Sequence, residues 1–328
     1  MTITQIKEQI FEVNENRFLK LALAIFNYQY ENTTIYRQYI DAIGVHPKMV
    51  DSIEKIPFLP IQFFKTHQVI SKLASNESIV FESSGTTGQI PSKHPIVDID
   101  LYKKSFELGF SKFFGDIKQY CILGLLPSYL ERGQSSLVFM VNHLIENSGH
   151  ELSGFYLHDH EALHETLLQL EAIHQPVLLF GVTYAILDFA EKFPIKLHST
   201  QIIETGGMKG RREELIRDEV HSILKKAFSI DNVYSEYGMT ELLSQAYSKS
   251  DGIFETPAWM KILIRDINDP FSISTSGKGL INIIDFANLH SCSFIATDDM
   301  GELFENGLFC VNGRLDHSEL RGCSMLSL

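Results

Sequence analysis

The sequence predicts an α/β fold whose final third is richer in β-structure. Short apolar runs, at residues 120–126 and 177–182, have the length and composition of buried strands. Segments with helical spacing of apolar residues lie between these runs, and such alternation is typical of a largely parallel sheet. From about residue 252 onward, Pro, Gly, Asn and Asp interrupt short strand-like runs, which indicates a more β-rich part.

The first 45 residues predict helices. Apolar residues recur there at helical spacing in two groups: Ile6, Ile10 and Val13, then Leu19, Leu23 and Phe26. The next segment, residues 55–65 (K-I-P-F-L-P-I-Q-F-F-K), contains two prolines, and proline interrupts a helix. We therefore expect residues 55–65, called the strap below, to be extended and partly buried.

The remaining elements follow in chain order. A third buried strand is predicted at residues 201–205, and helices are predicted at residues 159–173, 184–192 and 211–228. The last helix has one apolar face, formed by Ile216, Val220, Ile223, Leu224 and Ala227. In the β-rich part, residues 259–264 and 280–286 predict strands.

Composition and charge narrow the functional classes. The 328 residues are 44% hydrophobic, which is typical of a protein with a sizeable core and excludes a disordered chain. Lys and Arg number 28 against 41 Asp and Glu, a net charge of −13, and such a chain repels nucleic-acid backbones. No apolar run approaches the roughly 18 residues of a membrane span, and residues 1–8 lack a signal-peptide pattern. Four cysteines are too few for a disulfide scaffold, so we expect a cytoplasmic protein.

The strongest motif is F-E-S-S-G-T-T-G-Q-I-P-S-K at residues 81–93. Its glycines let the backbone direct N–H groups toward an anion, its hydroxyls add donors, and Lys93 adds a positive charge. The motif residues of interest are Ser83, Ser84, Gly85, Thr86, Thr87 and Gly88. This composition suits a triphosphate, although the spacing is not that of a Walker loop. A flexible surface turn is an equally compatible interpretation.

Two further motifs carry groups that bind nucleotides. In Y-S-E-Y-G-M-T-E at residues 234–241, a tyrosine can stack on a purine, Thr240 can bond a phosphate, and Glu241 is a hard oxygen ligand suited to Mg²⁺. In I-E-T-G-G-M-K-G at residues 203–210, the glycine pair can let a flat base lie against the backbone. A strand end running into a helix, and a tight turn capping a helix, are the structural alternatives.

The last motif, T-D-D-M-G-E at residues 297–302, precedes V-N-G-R-L-D-H-S-E-L-R-G-C-S-M-L at residues 311–326. The Asp299 carboxylate can bind two ribose hydroxyls. His158, His160 and His164 lie close together in the sequence, but they lack metal-site spacing and nearby cysteines, so no metal is expected there.

The order of these motifs resembles that of the adenylate-forming enzymes, from Ile56 to the C-terminus. The strap, the segment G-R-L-D-H-S-E-L-R-G-C-S and the short length most resemble the LuxE-type acyl-protein synthetases, and the phenylacetate–CoA ligases come next. The resemblance implies the large N-terminal domain of that superfamily, with helices packed on mostly parallel sheets. We expect one catalytic domain over residues 1–328, with a tail at 313–328 and without the usual mobile C-terminal domain.

The resemblance implies a role for each motif. ATP and Mg²⁺ are the implied cofactors, with Glu241 as the metal ligand. The implied nucleotide site consists of Ser83, Ser84, Gly85, Thr86, Thr87, Gly88, Gly206, Gly207, Glu236, Tyr237, Gly238, Met239, Asp299 and Arg314. The implied catalytic residues are Cys323, Lys93, Thr240 and Glu241. Tyr129, Phe180 and Gly181 are expected near the acyl pocket.

The chain departs from its larger relatives at two points. It ends 12 residues after Asp316, whereas larger relatives continue into a domain that supplies a catalytic lysine. Its phosphate-loop lysine also follows later, in T-G-Q-I-P-S-K rather than T-G-x-P-K.

Cys323 matches the acyl-accepting cysteine of the LuxE-type family. The resemblance then predicts a synthetase that activates a fatty acid or similar carboxylate, loads Cys323 and passes the acyl group to a partner such as a reductase or carrier protein. A coenzyme A ligase and a non-catalytic nucleotide-binding subunit are the alternatives.

Overall fold

The computed structural model describes residues 1–73, 79–84, 90–206 and 215–315. The helices within these ranges are α1 (Ile3–Ile10), α2 (Glu15–Asn32), α3 (Thr34–Ala42), α4 (Phe63–Thr66), α5 (Ile99–Phe114), α6 (Tyr129–Arg132), α7 (Ser136–Ser148), α8 (His160–Ala172), α9 (Thr183–Lys192) and α10 (Arg217–Phe228). The strands are β1 (Leu59–Pro60), β2 (Ile79–Glu82), β3 (Lys93–Ile96), β4 (Cys121–Leu125), β5 (Gly154–Phe155), β6 (Val177–Val182), β7 (Thr200–Thr205), β8 (Tyr234–Tyr237), β9 (Ala246–Ser248), β10 (Ile253–Glu255), β11 (Met260–Arg265), β12 (Ile273–Ser274), β13 (Gly277–Asp285), β14 (Phe294–Leu303) and β15 (Phe309–Arg314).

Within the described residues, thirteen strands form one large mixed sheet. Its order is β12-β11-β13-β14-β15-β10-β9-β8-β7-β6-β4-β5, and β1 pairs with β14 beside this path. One half of this sheet is parallel and consists of β5, β4, β6, β7 and β8. In the other half, which runs along the sheet order from β8 to β12, neighbouring strands pair antiparallel. The predicted α/β class, with a parallel core and a more β-rich part after residue 252, is confirmed.

The parallel half of the sheet is the most deeply buried part of the chain. Every residue of β4 and β6 is buried, as the continuous apolar runs predict for strands covered on both faces. Because parallel strands end at the same edge of a sheet, the segments after β7 and β8 emerge side by side. This edge brings together two of the motifs found in the sequence.

The N-terminal helices and the strap attach to the antiparallel half. Buried Gln29 in α2 donates its amide to the carbonyl oxygens of Asn288 and Leu289, at 2.9 and 3.1 Å. The strap is not one helix: it forms β1, whose Leu59 pairs in parallel with Ile295 of β14, followed by the short helix α4. The strap is therefore extended and partly buried over residues 56–60, as predicted, whereas residues 61–65 form a turn and the start of α4.

Two predicted helix faces are corrected. In α2 the buried side is formed by Phe18, Leu21, Ala22, Ile25, Phe26 and Gln29, whereas Leu19 is 39% exposed. Helix α10 begins at Arg217, and residues 211–214 of the predicted helix lie outside the described residues. Ile216 precedes α10 and is 66% exposed, and Ile223 also lies outside the buried face. In the described part of the chain, no helix combines the length and the apolar character that crossing a membrane requires.

Candidate functional site

A cavity of about 760 Å³ lies at the edge where β7 and β8 end. We call it the motif cavity because predicted site residues from four separate motifs line it. These residues are Ser83, Ser84, Gly206, Glu236, Gly238, Met239, Thr240, Glu241 and Arg314. The structure thus brings together residues more than 200 positions apart in the sequence.

The ends of β7 and β8 are linked through the Glu236 carboxylate. Thr205, at the end of β7, donates its hydroxyl to Glu236 Oε2 at 2.5 Å. A Cβ atom on Gly238 would lie 2.3 Å from Glu236 Oε1, so only glycine leaves room for this carboxylate. Gly206 has a φ of +80°, a backbone conformation that glycine adopts without strain. Gly238 therefore permits close packing at the cavity wall, and Gly206 permits the backbone turn after β7.

Asp299, Tyr237 and Arg314 form a connected group at one side of the motif cavity. The β14–β15 register places Asp299 opposite Arg314, whose Nε donates to Asp299 Oδ1 at 2.9 Å. The Tyr237 hydroxyl donates to Asp299 Oδ2 at 2.7 Å, and burial raises the pKa of Tyr237 well above its usual value. The Tyr237 ring packs edge-on against Phe254 and Phe309, so Tyr237 and Asp299 lie behind Arg314 rather than on the cavity wall.

Two buried side chains fix the backbone at Thr240 and Glu241. His94 Nδ1 lies 2.8 Å from the Thr240 carbonyl oxygen, and Asn288 Nδ2 donates to the Glu241 carbonyl oxygen at 2.8 Å. Ser83 is similarly held, since its hydroxyl accepts the backbone N–H of Ser92 at 2.9 Å. The cavity wall is thus anchored to the core at several points.

Glu241 is a suitable ligand for a divalent cation. It is buried on the cavity wall, and burial raises the pKa of Glu241, while Ser92 and the charges of Arg314 and Lys65 oppose the rise. Among the described residues, no group of three or more His, Cys, Asp or Glu side chains could hold a metal ion. A single carboxylate still fits Mg²⁺, which commonly takes one or two protein carboxylates together with substrate phosphates and water.

Lys93 does not line the motif cavity. The β2–β3 register places it opposite Glu82, and its ammonium lies 3.1 Å from Glu82 Oε1. Two exposed cations that the sequence analysis did not select, Lys65 of the strap and Arg132 of α6, do line the cavity. The local sequence does not show that Lys65 lies at the cavity. Its position follows from the pairing of β1 with β14, which brings the strap to the cavity wall.

Two of the residues predicted for the acyl pocket, Phe180 and Gly181, do not line either of the two large cavities. Phe180 and Gly181 are buried in β6, and a Cβ on Gly181 would lie 2.5 Å from Ile186 Cγ1. Tyr129 is the first residue of α6. Six other predicted site residues lie outside the described residues: Gly85, Thr86, Thr87, Gly88, Gly207 and Cys323.

The sequence of this chain is similar to those of known proteins. The model of the family described as acyl-protein synthetase, LuxE, matches residues 7–129. The chain is also similar to a long-chain-fatty-acid–luciferin-component ligase from Vibrio harveyi, with 21% identity over 298 residues that cover 86% of this chain and 78% of the relative. These findings confirm the predicted resemblance to the acyl-protein synthetases.

Two solved structures share the fold. One is 2-hydroxyisobutyryl-CoA ligase in its postadenylation state, with a TM-score of 0.62 and 12% identity over 94% of this chain and 70% of that one. The other is ATP-bound MatB from Rhodopseudomonas palustris, with a TM-score of 0.54 and 14% identity over 72% of this chain. The match spans about half of MatB, 47% of its length. The predicted fold of the adenylate-forming enzymes is thereby confirmed.

Proposed function

We propose that this chain is an AMP-forming, ATP-dependent acyl-protein synthetase. The observation that carries the proposal is the motif cavity, which gathers hydroxyls of the residue 81–93 motif, the Thr240–Glu241 pair and Arg314 around one space. The family match and the Vibrio harveyi relative support a ligase of this kind. The same two findings support the choice of a protein, rather than a small molecule, as acyl acceptor.

In the first step, a carboxylate oxygen attacks the α-phosphorus of ATP. A carbon–oxygen–phosphorus anhydride forms, the bond from the α-phosphorus to the bridging oxygen breaks, and pyrophosphate leaves. Lys65, Arg132 and Thr240 donate to phosphate oxygens, whose charge they stabilise. Arg314, held in position by Asp299 and Tyr237 behind it, contacts the ribose. Mg²⁺ bound at Glu241 would neutralise charge on the phosphates.

In the second step, the thiolate of Cys323 attacks the acyl carbonyl carbon, and AMP leaves with the electrons of the broken bond. The thiol proton passes to solvent. Leu315 donates its backbone N–H to the Asp298 carbonyl oxygen at 2.8 Å, and Asp298 lines the motif cavity. Cys323 follows Leu315 by eight residues, and eight extended residues span about 26–29 Å. This length allows the thiol to reach the acyl-adenylate.

The proposed substrate is a fatty acid, and the proposed acceptor of the loaded acyl group is a partner protein such as a reductase or carrier protein. The name of the Vibrio harveyi relative supports the fatty acid. We propose a cytoplasmic location, where the thiols of Cys121, Cys292 and Cys310, which are free in the structure, would stay reduced.

Intact-protein mass spectrometry tests the proposal. The full chain is incubated with ATP, Mg²⁺ and a panel of carboxylic acids, and is compared with Cys323→Ser and with Cys310→Ser as a matched thiol control. We expect an acyl-sized mass gain, sensitive to hydroxylamine, in the native chain and in Cys310→Ser but not in Cys323→Ser. An undiminished hydroxylamine-sensitive mass gain in Cys323→Ser would contradict the proposed thioester on Cys323. Turnover only on addition of coenzyme A would instead identify a coenzyme A ligase.

A further inference from the structure

A second cavity, of about 810 Å³, lies beside the motif cavity. We call it the strap cavity because the strap forms one of its walls, together with the end of α3 and the β11–β12 hairpin. Apolar side chains make up much of its lining: Ile43, Val45, Ile56, Phe58, Phe271 and Ile273. Pockets of roughly 300–1,000 Å³ hold one ligand of ordinary size, so each of the two cavities has room for its own occupant.

The two cavities meet at Gln62 and Asp298, which line both. The Gln62 amide donates to Asp298 Oδ2 at 2.6 Å. Arg265, on the wall of the strap cavity, donates to the neighbouring Thr297 carbonyl oxygen at 2.7 Å. Partly buried polar groups are therefore found at the boundary, while His46 and Lys55 are exposed at the surface. This arrangement suits a ligand with an apolar body and a polar head directed into the motif cavity.

Among the described residues, the packing of β6 leaves no comparable space beside Phe180 and Gly181, two of the residues predicted for the acyl pocket. Gly181 in β6 is packed against Ile186 and Leu125, and Phe180 beside it is completely buried. The motif cavity is occupied by the nucleotide under the proposed function. A long hydrocarbon chain therefore requires a separate apolar space that borders the motif cavity, and the strap cavity has this position.

We propose that the strap cavity binds the hydrocarbon chain of a long-chain carboxylic acid. The acid passes the Gln62–Asp298 pair, and its carboxylate lies in the motif cavity near Lys65. The Asp298 carboxylate repels the acid's head group at the boundary, which favours the position next to the Lys65 ammonium. The identity of the acid rests on the proposed function, whereas the location of the chain rests on the two cavities.

The proposal predicts a dependence on chain length. Burial of one CH₂ group changes affinity by about fourfold, so affinity should rise by about that factor for each added CH₂ until the strap cavity is full. Butanoate, which reaches little beyond the boundary, should gain almost nothing from the strap cavity.

A fluorescent acid, 11-(dansylamino)undecanoic acid, tests binding directly on the full chain. Ile273→Trp narrows the strap cavity with a bulky ring, and Phe271→Asp places a charge at a residue that is 63% exposed at its mouth. Ile267→Asp is the matched control, since Ile267 is 51% exposed in the same hairpin but does not line the cavity. We expect at least tenfold weaker probe binding in the first two variants and native binding in the control. Native affinity in a folded Ile273→Trp chain would overturn the inference, as would an equal loss in Ile267→Asp.

Pyrophosphate release separates this inference from the proposed function. With ATP present, Ile273→Trp should raise the KM for tetradecanoate at least tenfold and leave the KM for butanoate unchanged. An unchanged KM for tetradecanoate would overturn the inference and leave the proposed function standing. Tight probe binding without pyrophosphate release from any acid in the native chain would contradict the proposed function and support the cavity assignment.

Discussion

The imidazole of His94 connects the Thr240 carbonyl oxygen with the Ser291 hydroxyl, at 2.8 and 2.9 Å. A carbonyl oxygen only accepts, so Nδ1 carries the proton and Nε2 accepts from Ser291. Burial lowers the pKa of His94 from 6.5 to about 4, which keeps the ring neutral at pH 7. Because Lys93 and His94 are adjacent in β3, one face of this strand supports the Thr240 segment while the other carries a surface ion pair.

Lowering the pH should weaken this support. Above pH 6.5, the contribution of the neutral His94 to the free energy of unfolding is complete. This contribution is lost as the pH falls from 6.5 to about 4, because only the unfolded chain takes up a proton in that range. The difference between the His94 pKa values of the unfolded and folded chains corresponds to about 3 kcal/mol in the free energy of unfolding. In urea unfolding, His94→Gln should be less stable than the native chain at pH 7.5, and this gap should shrink toward pH 4.5.

Exposed His198 provides the control for this prediction, since only its backbone N–H makes a described hydrogen bond. His198→Gln should follow the native pH dependence. Equal pH slopes in the native and His94→Gln chains would show that His94 titrates as it does in the unfolded chain.

Lys65, rather than Lys93, should matter for pyrophosphate release. Lys65 lines the motif cavity, whereas Lys93 pairs with Glu82 at its outer edge. Hydrogen bonds to charged groups contribute about 1.5–3 kcal/mol, so Lys65→Ala should lower kcat/KM for ATP about 10- to 100-fold. Lys93→Ala, the matched control, should change it less than about threefold, since exposed ion pairs contribute little. The reverse order of effects would restore the sequence-based assignment of Lys93.

Asp299 should determine discrimination between sugars. Both of its carboxylate oxygens accept hydrogen bonds, from Tyr237 and Arg314, so its position is fixed before any ligand binds. Asp299→Asn should raise the KM for ATP by about tenfold and reduce the preference for ATP over 2′-deoxyATP, because Arg314, which lies on the cavity wall, loses the charged partner that holds it in place. Tyr237→Phe should have a smaller effect of the same kind. A raised KM with unchanged sugar preference would indicate that Asp299 acts only on the structure.

Glu241 should set the Mg²⁺ requirement. Glu241→Gln should raise the Mg²⁺ concentration for half-maximal pyrophosphate release by at least about tenfold, because a neutral amide is a poor ligand for Mg²⁺. Since burial raises the pKa of Glu241, the neutral side chain should leave the melting temperature unchanged or higher. Glu131, another carboxylate on the cavity wall, is the control: Ser128 and His158 hold the pKa of Glu131 near 2. An equal Mg²⁺ shift in Glu131→Gln would argue against a specific ligand.

The sequence predicts the parallel core well, because strands such as β4 and β6 are buried on both faces and leave an unbroken apolar run. It predicts α10 less well. His221 faces inward there because the Glu204 carboxylate lies 3.6 Å from its Nε2 and the Ser235 hydroxyl lies nearby. A helix pattern read along one segment contains no information about a carboxylate on a different strand.

The same limit applies to the candidate site. The motifs identify Thr240, Glu241 and Arg314, because each lies in a recognisable local pattern. They do not distinguish Lys65 from Lys93, because the orientation of each lysine depends on strand pairing rather than on its distance from the motif. The acyl pocket that the resemblance implies near Gly181 stays a prediction, and in the structure Gly181 is packed closely against Ile186 and Leu125.

The attachment of the N-terminal helices to the far end of the chain affects how the protein is made. Gln29 and Asn288 are 259 residues apart, and the Phe18 ring stacks on Phe286 at 4.5 Å. A ribosome adding about 5–20 residues per second needs on the order of 10 to 50 s between the two. During that time the apolar side of α2 lacks its partner, and such long-range contacts form slowly. Nascent chains that stop short of residue 286 should therefore be clients of chaperones rather than folded intermediates.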